Sequence, residues 1–292
     1  MENIKAINKQ SFLDKLKSYC KHPGSFLLLV LVLLAAFTTI TTLLFLVGYV
    51  LVTGVPNLKP SLFALKYTSE NVSMVPAILN TVEMVVIALL FAVPFGVGAA
   101  IYLVEYAKKG NKIVGLVRLT AETLTGIPSI VYGLFGTLFF VTALGWGYSM
   151  LAGAMTLAIM VLPTVMRTTE EALLSVPDSF REGSFGLGAG KLRTVFQIVL
   201  PAAIPGILSG VILSVGRIVG ETAALIYTAG TVAGLAGVTD SGRTLAIHMY
   251  VLSNEGMHKN EANATAVILL AIVLGINMIS GKLAKKIEAP SK

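Results

Sequence analysis

Six long apolar stretches dominate this sequence and restrict it to one class of fold. Each has enough residues, at about 1.5 Å of rise per residue, to cross the roughly 30 Å of hydrocarbon in a bilayer as a helix. Charged residues make up only 13% of the 292 positions, whereas soluble domains contain about 25%. We therefore predict an all-α membrane protein with six transmembrane helices, over roughly 26–52, 76–104, 114–142, 148–166, 202–228 and 263–281.

Lysine and arginine are distributed unevenly between the two sides of these helices. With successive loops assigned to opposite sides, 17 of the 22 basic residues fall on one side and four on the other. Because cytoplasmic loops are enriched in Lys and Arg, the basic side is predicted to be cytoplasmic. Both termini and the 167–200 loop are then cytoplasmic, and the 53–75 and 229–262 loops face outward.

The first apolar stretch is expected to remain in the protein. It is longer than the apolar core of a signal peptide and lacks a convincing cleavage site. The predicted organisation is a cytoplasmic tail and first transmembrane helix over 1–60, a core of five transmembrane helices over 75–282, and a short cytoplasmic tail over 283–292.

Several functional classes lack the residues that they require. The stretch 186–192 resembles a Walker A loop only superficially, since it has no glycine five residues before Gly190 and has Leu192 where Ser or Thr would bind Mg²⁺. The single cysteine, Cys20, cannot form a disulfide within the chain. The net charge of +7 does not indicate nucleic acid, because the basic residues lie in loops beside apolar stretches. We predict no catalytic residue, no bound cofactor and no metal site, since no ligand spacing relates His22, His248 and His258.

Prolines inside the predicted spans indicate bent helices. A proline removes one backbone hydrogen bond and bends the helix axis, and the freed carbonyl must find another donor in the membrane. One interpretation is a closely packed bundle that moves; the other is the general enrichment of proline in membrane helices. The prolines are Pro94, Pro128, Pro163 and Pro205.

The fifth predicted span contains two ionisable residues, Arg217 and Glu221. They are four residues apart, so in one helix they share a face and are predicted to form an ion pair. Ser214 and Thr228 extend this polar stripe. Ionisable groups are costly in a bilayer and commonly mark a path or site. Two interpretations remain open: a pair that only locks two helices, or an Arg217 that faces a water-filled path and attracts an anion.

Other polar residues of the spans receive separate interpretations. Glu83 lies about two helical turns below the predicted outer end of the second span, at a depth comparable with that of Glu221, and the two are predicted to flank one outer vestibule. Glu105, at a cytoplasmic span end, is interpreted as an interfacial charge. The third span has a polar stripe that we interpret as structural rather than substrate-binding, formed by Arg118, Glu122, Thr125 and Ser129 with Tyr132 or Gly133.

The polar loop after the fourth span predicts two short helices. Ser175–Asp178, with its early proline, is typical of a helix start, and this helix is expected to end near Leu187 at a glycine cluster. The second helix is predicted to end at Pro201 and to carry on one face the apolar residues Leu192, Val195, Phe196 and Val199. Such a face must be buried on the membrane or in a partner protein.

The loop also has a specific spacing. Glu182, Gly188, Ile198, Leu200 and Pro201 fit the pattern E-A-A-x3-G-x9-I-x-L-P, with Gly183 and Ser184 in place of the two alanines. This resembles the coupling motif of binding-protein-dependent ABC importer permeases. The resemblance implies a type I importer permease fold in which these coupling helices dock into a groove of an ATPase subunit. It also implies that Glu182 forms a salt bridge there and that Gly188 makes the turn.

Three further segments resemble the phosphate-specific permeases of that family, and the last of them is closer to the PstA type of subunit than to its sister PstC. The resemblance implies half of a phosphate path in a bacterial or archaeal inner membrane, with a PstC-like permease, two PstB-like ATPase subunits that bind ATP and Mg²⁺, and an extracytoplasmic PstS-like binding protein as partners. Arg217 would attract phosphate, and Glu221 would hold Arg217 in place. The three segments are 126–136, 176–182 and 216–225, and the resemblance to PstA rather than PstC rests on 221–230, 254–258 and 263–269.

Two alternatives remain for the function. The first is a permease of the same fold for another oxyanion, such as molybdate or sulfate. The second is a secondary transporter or channel that works without an ATPase. The second class offers no reason for the spacing from Glu182 to Pro201, and it often shows an internal repeat that this sequence lacks.

Overall fold

The computed structural model of this chain describes residues 23–108 and 110–288, which form helices joined by loops, with no strand among them. The chain divides into two compact units, Met1–Val52 and Thr53–Lys292. The described part of the first unit is helix α1, which runs from Pro23 to Gly54 and so ends just inside the second unit. Its 32 residues include no charged side chain, and they are more than enough to cross a bilayer.

The second unit contains ten further helices among its described residues. Short 3₁₀ turns, Val55–Asn57 and Pro60–Phe63, precede them. Wide π-helical turns extend α2 over Tyr102–Tyr106, extend α4 over Thr137–Ala143, and join α7 to α8 over Val195–Val199. The helices are α2 Val75–Ile101, α3 Lys112–Thr125, α4 Ser129–Gly136, α5 Met150–Ser175, α6 Asp178–Gly186, α7 Lys191–Thr194, α8 Leu200–Val219, α9 Ala223–Ile226, α10 Leu245–Glu255 and α11 Lys259–Glu288.

The predicted membrane spans are confirmed in number but not in every boundary. Five helices of the described ranges are long and apolar enough to cross a membrane, and a bent pair, α3 with α4, makes a sixth. The helix of the fourth predicted span, α5, continues to Ser175, beyond the predicted end at 166. The helix of the fifth predicted span, α8, ends at Val219 rather than near 228. The tails over 1–22 and 289–292 lie outside the described residues.

The third predicted span, over 114–142, is not one helix. It consists of α3 and the extended α4, whose axes differ by 102°. Pro128 lies at the break and has no amide hydrogen for the Leu124 carbonyl four residues before it. That carbonyl instead accepts hydrogen bonds from the Tyr132 hydroxyl, at 2.8 Å, and from the Ile127 amide, at 3.2 Å. The predicted polar stripe is therefore divided between two helices that point in different directions.

The centre of the second unit is the packing of α2 against α5. Small residues let the two helices approach closely: a Cβ atom placed on Gly96 would lie 2.9 Å from a methyl carbon of Val165. Around this helix pair lies the central cluster of buried apolar side chains, to which α4, α8 and α9 also contribute. Its fully or almost fully buried members include Met84, Ala88, Tyr132, Met150, Leu157, Met160, Ile218 and Leu225.

Two smaller apolar clusters lie at the ends of this bundle. The first joins the ends of α2 and α5 to α7 and α8, and it includes Ala100, Leu103, Met166, Leu173, Val195 and Val199. The second joins the 53–75 segment to α10 and α11, and it includes Leu62, Met74, Leu245, Leu252 and Ala264. We call these two regions the α6–α7 end and the α10 end.

At the α10 end, the segment 229–244 folds over the first turn of α5. The backbone amides of Met150 and Leu151 donate to the carbonyls of Asp240 and Val238, at 2.9 and 2.8 Å. These bonds satisfy amides that have no partner inside their own helix. The segment is thus fixed to the helix bundle by its backbone.

Candidate functional site

The loop at the α6–α7 end forms the two predicted helices. α6 covers Asp178–Gly186, and the chain reverses at Gly188, whose φ of +81° is in the left-handed region. A residue with a side chain rarely adopts that conformation, which explains the glycine at this position of the motif. α7 then starts at Lys191 and continues through the wide turn into α8. The predicted helix–turn–helix is confirmed.

The two short helices are joined by a buried hydrogen bond. Ser184 of α6 and Thr194 of α7 are 6% and 1% exposed, and their hydroxyl oxygens are 2.8 Å apart. The small side chain of Ser184 permits this close contact between the two helices. The sequence reasoning did not identify Thr194 as its partner, because a single threonine ten residues away carries no pattern.

One detail of the second helix was predicted wrongly. Of its apolar face, Val195 and Val199 are buried within the chain, whereas Leu192 and Phe196 are 66% and 52% exposed. Burial of these two side chains on the membrane or in a partner protein stays a prediction. Pro201 does not end the helix, because it lies in the first turn of α8. The wide turn over Val195–Val199 precedes it and loosens the backbone where the proline provides no amide hydrogen.

The surface of this loop that faces away from the helix bundle is not covered by any other described part of the chain; we call it the outer side of the loop. A cleft of about 680 Å³ lies between the two helices and is lined by Phe180, Gly183, Leu187, Arg193 and Ile198 among others. Glu182 is exposed, and within the described ranges it forms no ion pair or hydrogen bond. Leu187 is 92% exposed, which is unusual for a large apolar side chain. These features are typical of a surface that another protein covers.

The inner side of the same loop is anchored by Arg181. Its side chain is 14% exposed and pairs with Glu105, whose side chain is 7% exposed, at 2.8 Å. The guanidinium also donates to the carbonyls of Leu173 and Val176, at 2.9 and 2.8 Å, and to the Asp178 carboxylate, at 3.2 Å. One side chain therefore connects α6 to the end of α2 and to the last turn of α5.

The Arg181 network corrects the interpretation of Glu105 as a simple interfacial charge. A charged pair that is mostly buried is stable only when its remaining hydrogen-bonding capacity is also used, as it is here. Sequence reasoning missed the pair because its members are 76 residues apart. The only available signal was the opposite sign of charge at the end of the second span and in the loop.

A second set of charges connects α3 to α5. Arg118 pairs with Glu170 at 2.5 Å. Arg167 lies 3.8 Å from Glu122 and 3.1 Å from Glu171. These pairs hold the two helices together, which agrees with the structural interpretation of Arg118 and Glu122.

The predicted ion pair of Arg217 and Glu221 is not formed. α8 ends at Val219, so the two residues do not share a helix face. Glu221 is 8% exposed, and its carboxylate accepts a hydrogen bond at 3.0 Å from the amide of Ala224, in the short helix α9. Arg217 is partly exposed and lies within electrostatic range of the Tyr132 hydroxyl, but it has no ion pair or hydrogen bond in the part of the chain that the structure describes.

The hydroxyls of two other residues of the predicted path are bonded to the backbone. Ser214 and Thr228 are fully buried, and their hydroxyls donate to backbone carbonyls four residues earlier, at 3.0 and 2.9 Å. They belong to different elements, so the predicted single stripe was wrong. Glu83 is partly buried in α2 and has no hydrogen-bond or ion-pair partner among the described residues. No contact joins it to Glu221, so the shared vestibule stays a prediction.

This fold, with six candidate spans and a two-helix loop that presents the coupling motif, defines an importer permease. The chain belongs to the family of binding-protein-dependent transport system inner membrane components, whose family model matches residues 92–289. It is therefore a multi-pass membrane protein. The resemblance that its loop suggested is confirmed.

Several individual permeases are similar to this chain in sequence. The chain is 33% identical to the probable ABC transporter permease protein YqgI of Bacillus subtilis over 250 residues, which cover 79% of this chain and 85% of that protein. It is 35% identical to the phosphate transport system permease protein PstA of Pasteurella multocida over 213 residues, or 72% and 75% of the two chains. It is 41% identical to PstA 1 of Mycobacterium tuberculosis over 154 residues, which span 53% of this chain and about half, 49%, of that relative.

Solved structures show the same fold at low sequence identity. A chain of the bacterial alginate ABC transporter in complex with its alginate-bound periplasmic protein matches with a TM-score of 0.68 and 15% identity, over 94% of this chain and 99% of that one. A chain of the MetNI methionine ABC transporter in an inward-facing conformation matches with a TM-score of 0.61 and 20% identity, over 73% and 95%. Both are ABC importers, and the type I importer permease fold is confirmed.

Proposed function

We propose that this chain is the transmembrane permease subunit of an ATP-driven importer of inorganic phosphate. The observation that carries the proposal is the loop at the α6–α7 end, which is anchored on its inner side by Arg181 and open on its outer side around Glu182. The choice of phosphate is supported by relatives at 35–41% identity that are phosphate transport permeases of the PstA type.

The open loop surface is the proposed docking site for the ATPase. An ATPase groove would cover the cleft and the exposed apolar side chains, and Glu182 would pair with a basic residue of that groove. Because Arg181 joins α6 to α2 and α5, a pull on the loop would move both central helices as one body. Two PstB-like subunits would bind ATP and Mg²⁺, so this chain would itself hold no cofactor and hydrolyse nothing.

Arg217 is the proposed phosphate-attracting group. It is a cation near the end of a membrane-spanning helix, it is partly exposed, and no acid of the described residues neutralises it. Since Glu221 does not hold it, the passing anion would be its counter-ion. Partial hydration would keep the attraction weak enough for release, as a transport site requires. We place Glu83, Ser214, Glu221 and Thr228 on or beside this path.

The remaining partners complete the assembly. A homologous PstC-like subunit would supply the second half of the path, and a PstS-like binding protein would deliver phosphate to the 53–75 and 229–262 loops. This arrangement requires both termini on the cytoplasmic side, which the uneven distribution of Lys and Arg supports.

Uptake of radiolabelled phosphate by proteoliposomes that contain all the subunits tests the path. Arg217→Gln should abolish most of the uptake while the ATPase still binds and hydrolyses ATP. Lys112→Gln, a loss of the same charge at an exposed position of α3, is the matched control and should transport normally. Normal uptake by Arg217→Gln would refute its role, and preferential uptake of molybdate or sulfate by the native complex would refute phosphate as the substrate.

The same vesicles test the docking surface. Glu182→Ala should weaken ATPase binding and uncouple ATP hydrolysis from transport, because it removes the exposed acid of the loop. Glu70→Ala, which removes an exposed acid from the 53–75 loop, should leave ATPase binding unchanged. ATPase binding and coupling that are unchanged in Glu182→Ala would contradict the proposed function of the loop.

A further inference from the structure

Four buried polar atoms at the α10 end have no partner. Arg243, Thr244 and His248 are 4%, 1% and 0% exposed. One terminal nitrogen of Arg243, the hydroxyl of Thr244 and both ring nitrogens of His248 form no hydrogen bond of standard geometry with the described residues. Buried polar groups are nearly always paired, so orphaned atoms that are this close in sequence need a physical explanation.

The backbone of this cluster is held firmly. The side-chain amide of Asn80 in α2 donates to the carbonyl of Arg243 at 3.1 Å, and the Arg243 amide donates to Val232 at 3.1 Å. Thr244 precedes the first residue of α10, and the amide of that residue, Leu245, donates to the Thr81 hydroxyl at 2.8 Å. These hydrogen bonds fix the backbone that carries the unpaired side chains, so a poorly ordered loop does not explain their lack of partners.

Two of these side chains, those of Arg243 and His248, contact the ring of Tyr67. The Arg243 guanidinium lies over the Tyr67 ring, 4.7 Å from its centre. The rings of His248 and Tyr67 contact edge to face, with centres 6.3 Å apart. The aromatic face offsets part of the cost of burying the cation, but it accepts no ordinary hydrogen bond. Arg243 is 4% exposed, more than Thr244 or His248.

The charge of the cluster is positive and unbalanced. Within the described ranges no carboxylate pairs with Arg243. Two acids of the same end are occupied elsewhere: Glu261 lies near Lys59 and His258, and the Asp240 carboxylate accepts from the amide of Gly237. The cluster therefore offers a cation and hydrogen-bond donors, which match an anion with oxygen acceptors.

His248 adds a donor and an acceptor rather than a second charge. Burial, and secondly the positive charge of Arg243, lower the pKa of His248 to about 3, and the Val72 carbonyl offsets this slightly. A neutral imidazole has one N–H donor and one bare nitrogen acceptor. Because the Val72 carbonyl faces one ring nitrogen, that nitrogen carries the hydrogen, and the bare nitrogen is left to accept from the hydroxyl of hydrogen phosphate. Sulfate and molybdate dianions have no hydroxyl to donate.

We propose that Arg243, Thr244 and His248 form a second anion site, for a hydroxyl-bearing oxyanion of the hydrogen phosphate type, at the α10 end and separate from Arg217. The guanidinium and the threonine hydroxyl bind the anion's bare oxygens, and the imidazole accepts its hydroxyl hydrogen. The identification of that anion as phosphate rests on the proposed function, whereas its charge and its hydroxyl follow from the three side chains.

Equilibrium binding of radiolabelled inorganic phosphate tests the site. The complex of permease subunits and ATPase is placed in nanodiscs without the binding protein, and the Arg217→Gln variant is used so that the proposed path residue cannot contribute. We expect this variant to bind phosphate and excess sulfate to displace it poorly. Adding Arg243→Gln should lower the affinity at least tenfold, and adding Arg243→Lys should lower it less, because the charge remains while the planar fork is lost.

Matched controls separate binding from folding. Lys66→Gln removes an exposed positive charge of the same end, and Thr231→Val removes an exposed threonine hydroxyl of the neighbouring loop, so both should leave the affinity unchanged. Every variant must co-purify with its partners and hydrolyse ATP at the normal rate. His248→Leu should reduce the preference for phosphate over sulfate, which a purely structural role would not alter.

Three results would overturn the site. These are equal affinity with and without Arg243→Gln, no phosphate binding by the Arg217→Gln complex up to the millimolar range, and displacement by sulfate as effective as by phosphate. Arg243-dependent binding would support the site even if the native complex, assayed separately with its binding protein, failed to transport phosphate, and that failure would refute the proposed function. Normal phosphate uptake by the native complex, together with Arg243-independent binding, would refute the site alone.

Discussion

Arg181 and Arg243 are buried at opposite ends of the same unit, and they are stabilised in different ways. Arg181 has an acid partner, Glu105, and its guanidinium also donates to two backbone carbonyls and to Asp178. Arg243 has an aromatic ring and, among the described residues, no acid at all. The free-energy cost of burying a cation is therefore offset by partners within the chain for Arg181, and only partly offset for Arg243.

This difference separates a structural joint from a candidate site. A cation whose hydrogen bonds are all used cannot take up a ligand without breaking them. A cation with an unused hydrogen-bond donor is stabilised by any anion that binds to it. The α6–α7 end should therefore behave as a rigid connection, and the α10 end should respond to anions.

Loss of the Arg181 joint should have the largest effect. Arg181→Met leaves Glu105 buried and unpaired, and it should lower the free energy of unfolding by about 3–5 kcal/mol. Denaturant titration of the detergent-solubilised complex measures this. Arg193→Met, the same change at an exposed position of the same loop, should stay within about 0.5 kcal/mol of the native chain.

The double variant sharpens this prediction. Arg181→Met with Glu105→Met removes both charges, so it should be much more stable than Arg181→Met alone. If the single and double variants were equally unstable, lost packing rather than an unpaired carboxylate would explain the effect, and the joint would not be electrostatic.

Acid should weaken the α10 end through His248, which lies outside the membrane-spanning helices. Its pKa is about 3 in the folded chain against 6.5 for an ordinary histidine, so the unfolded chain binds this proton first as the pH falls. The contribution to stability is complete above pH 6.5 and declines toward pH 3, with a slope that approaches ~1.4 kcal/mol per pH unit.

Melting temperatures measured from pH 7.5 to pH 5 test the histidine, at roughly the range where an ordinary imidazole titrates. The native chain should lose stability relative to His248→Leu as the pH falls, because leucine cannot titrate. Parallel pH profiles for the two proteins would show that His248 is not buried in its neutral form.

Removing the other arginine should have a smaller effect of opposite sign. Arg243→Met deletes a buried cation that has no acid partner, so without added anion the stability should stay equal or rise by about 1–2 kcal/mol. Phosphate should raise the melting temperature of the native chain and leave that of Arg243→Met unchanged. A loss of several kcal/mol, as expected for Arg181→Met, would remove the contrast between the two ends.

The smallest effect is expected for the pair of Arg118 and Glu170. It is short, at 2.5 Å, but the side chain of Arg118 is 47% exposed. A double-mutant cycle with Arg118→Gln and Glu170→Gln should give a coupling free energy of about 0.5–1 kcal/mol, because solvent screens exposed pairs. A coupling as large as that of Arg181 would show that water does not reach this pair.

Local patterns predicted the elements whose cause is local. The turn at Gly188 needs a residue that tolerates positive φ, and the helix of Asp178–Gly186 starts after Pro177. The membrane helices follow from apolar runs that have no alternative in water. Helix ends inside the membrane were harder to predict from the sequence, because apolar residues continue beyond the point where the helix ends. For this reason the predicted pairing of Arg217 with Glu221 was wrong: the helix ends at Val219, between them.

Composition, spacing and charge distribution by themselves determined that this chain crosses a membrane several times and presents a two-helix loop with a coupling motif. These properties depend on neighbours within a few residues or on sums over the whole chain. Only the tertiary structure decided that Arg181 meets Glu105, that α3 and α4 meet at 102°, and that Arg243 is buried without an acid. The partners of a buried charge are chosen by packing between distant segments, and no local pattern records that choice.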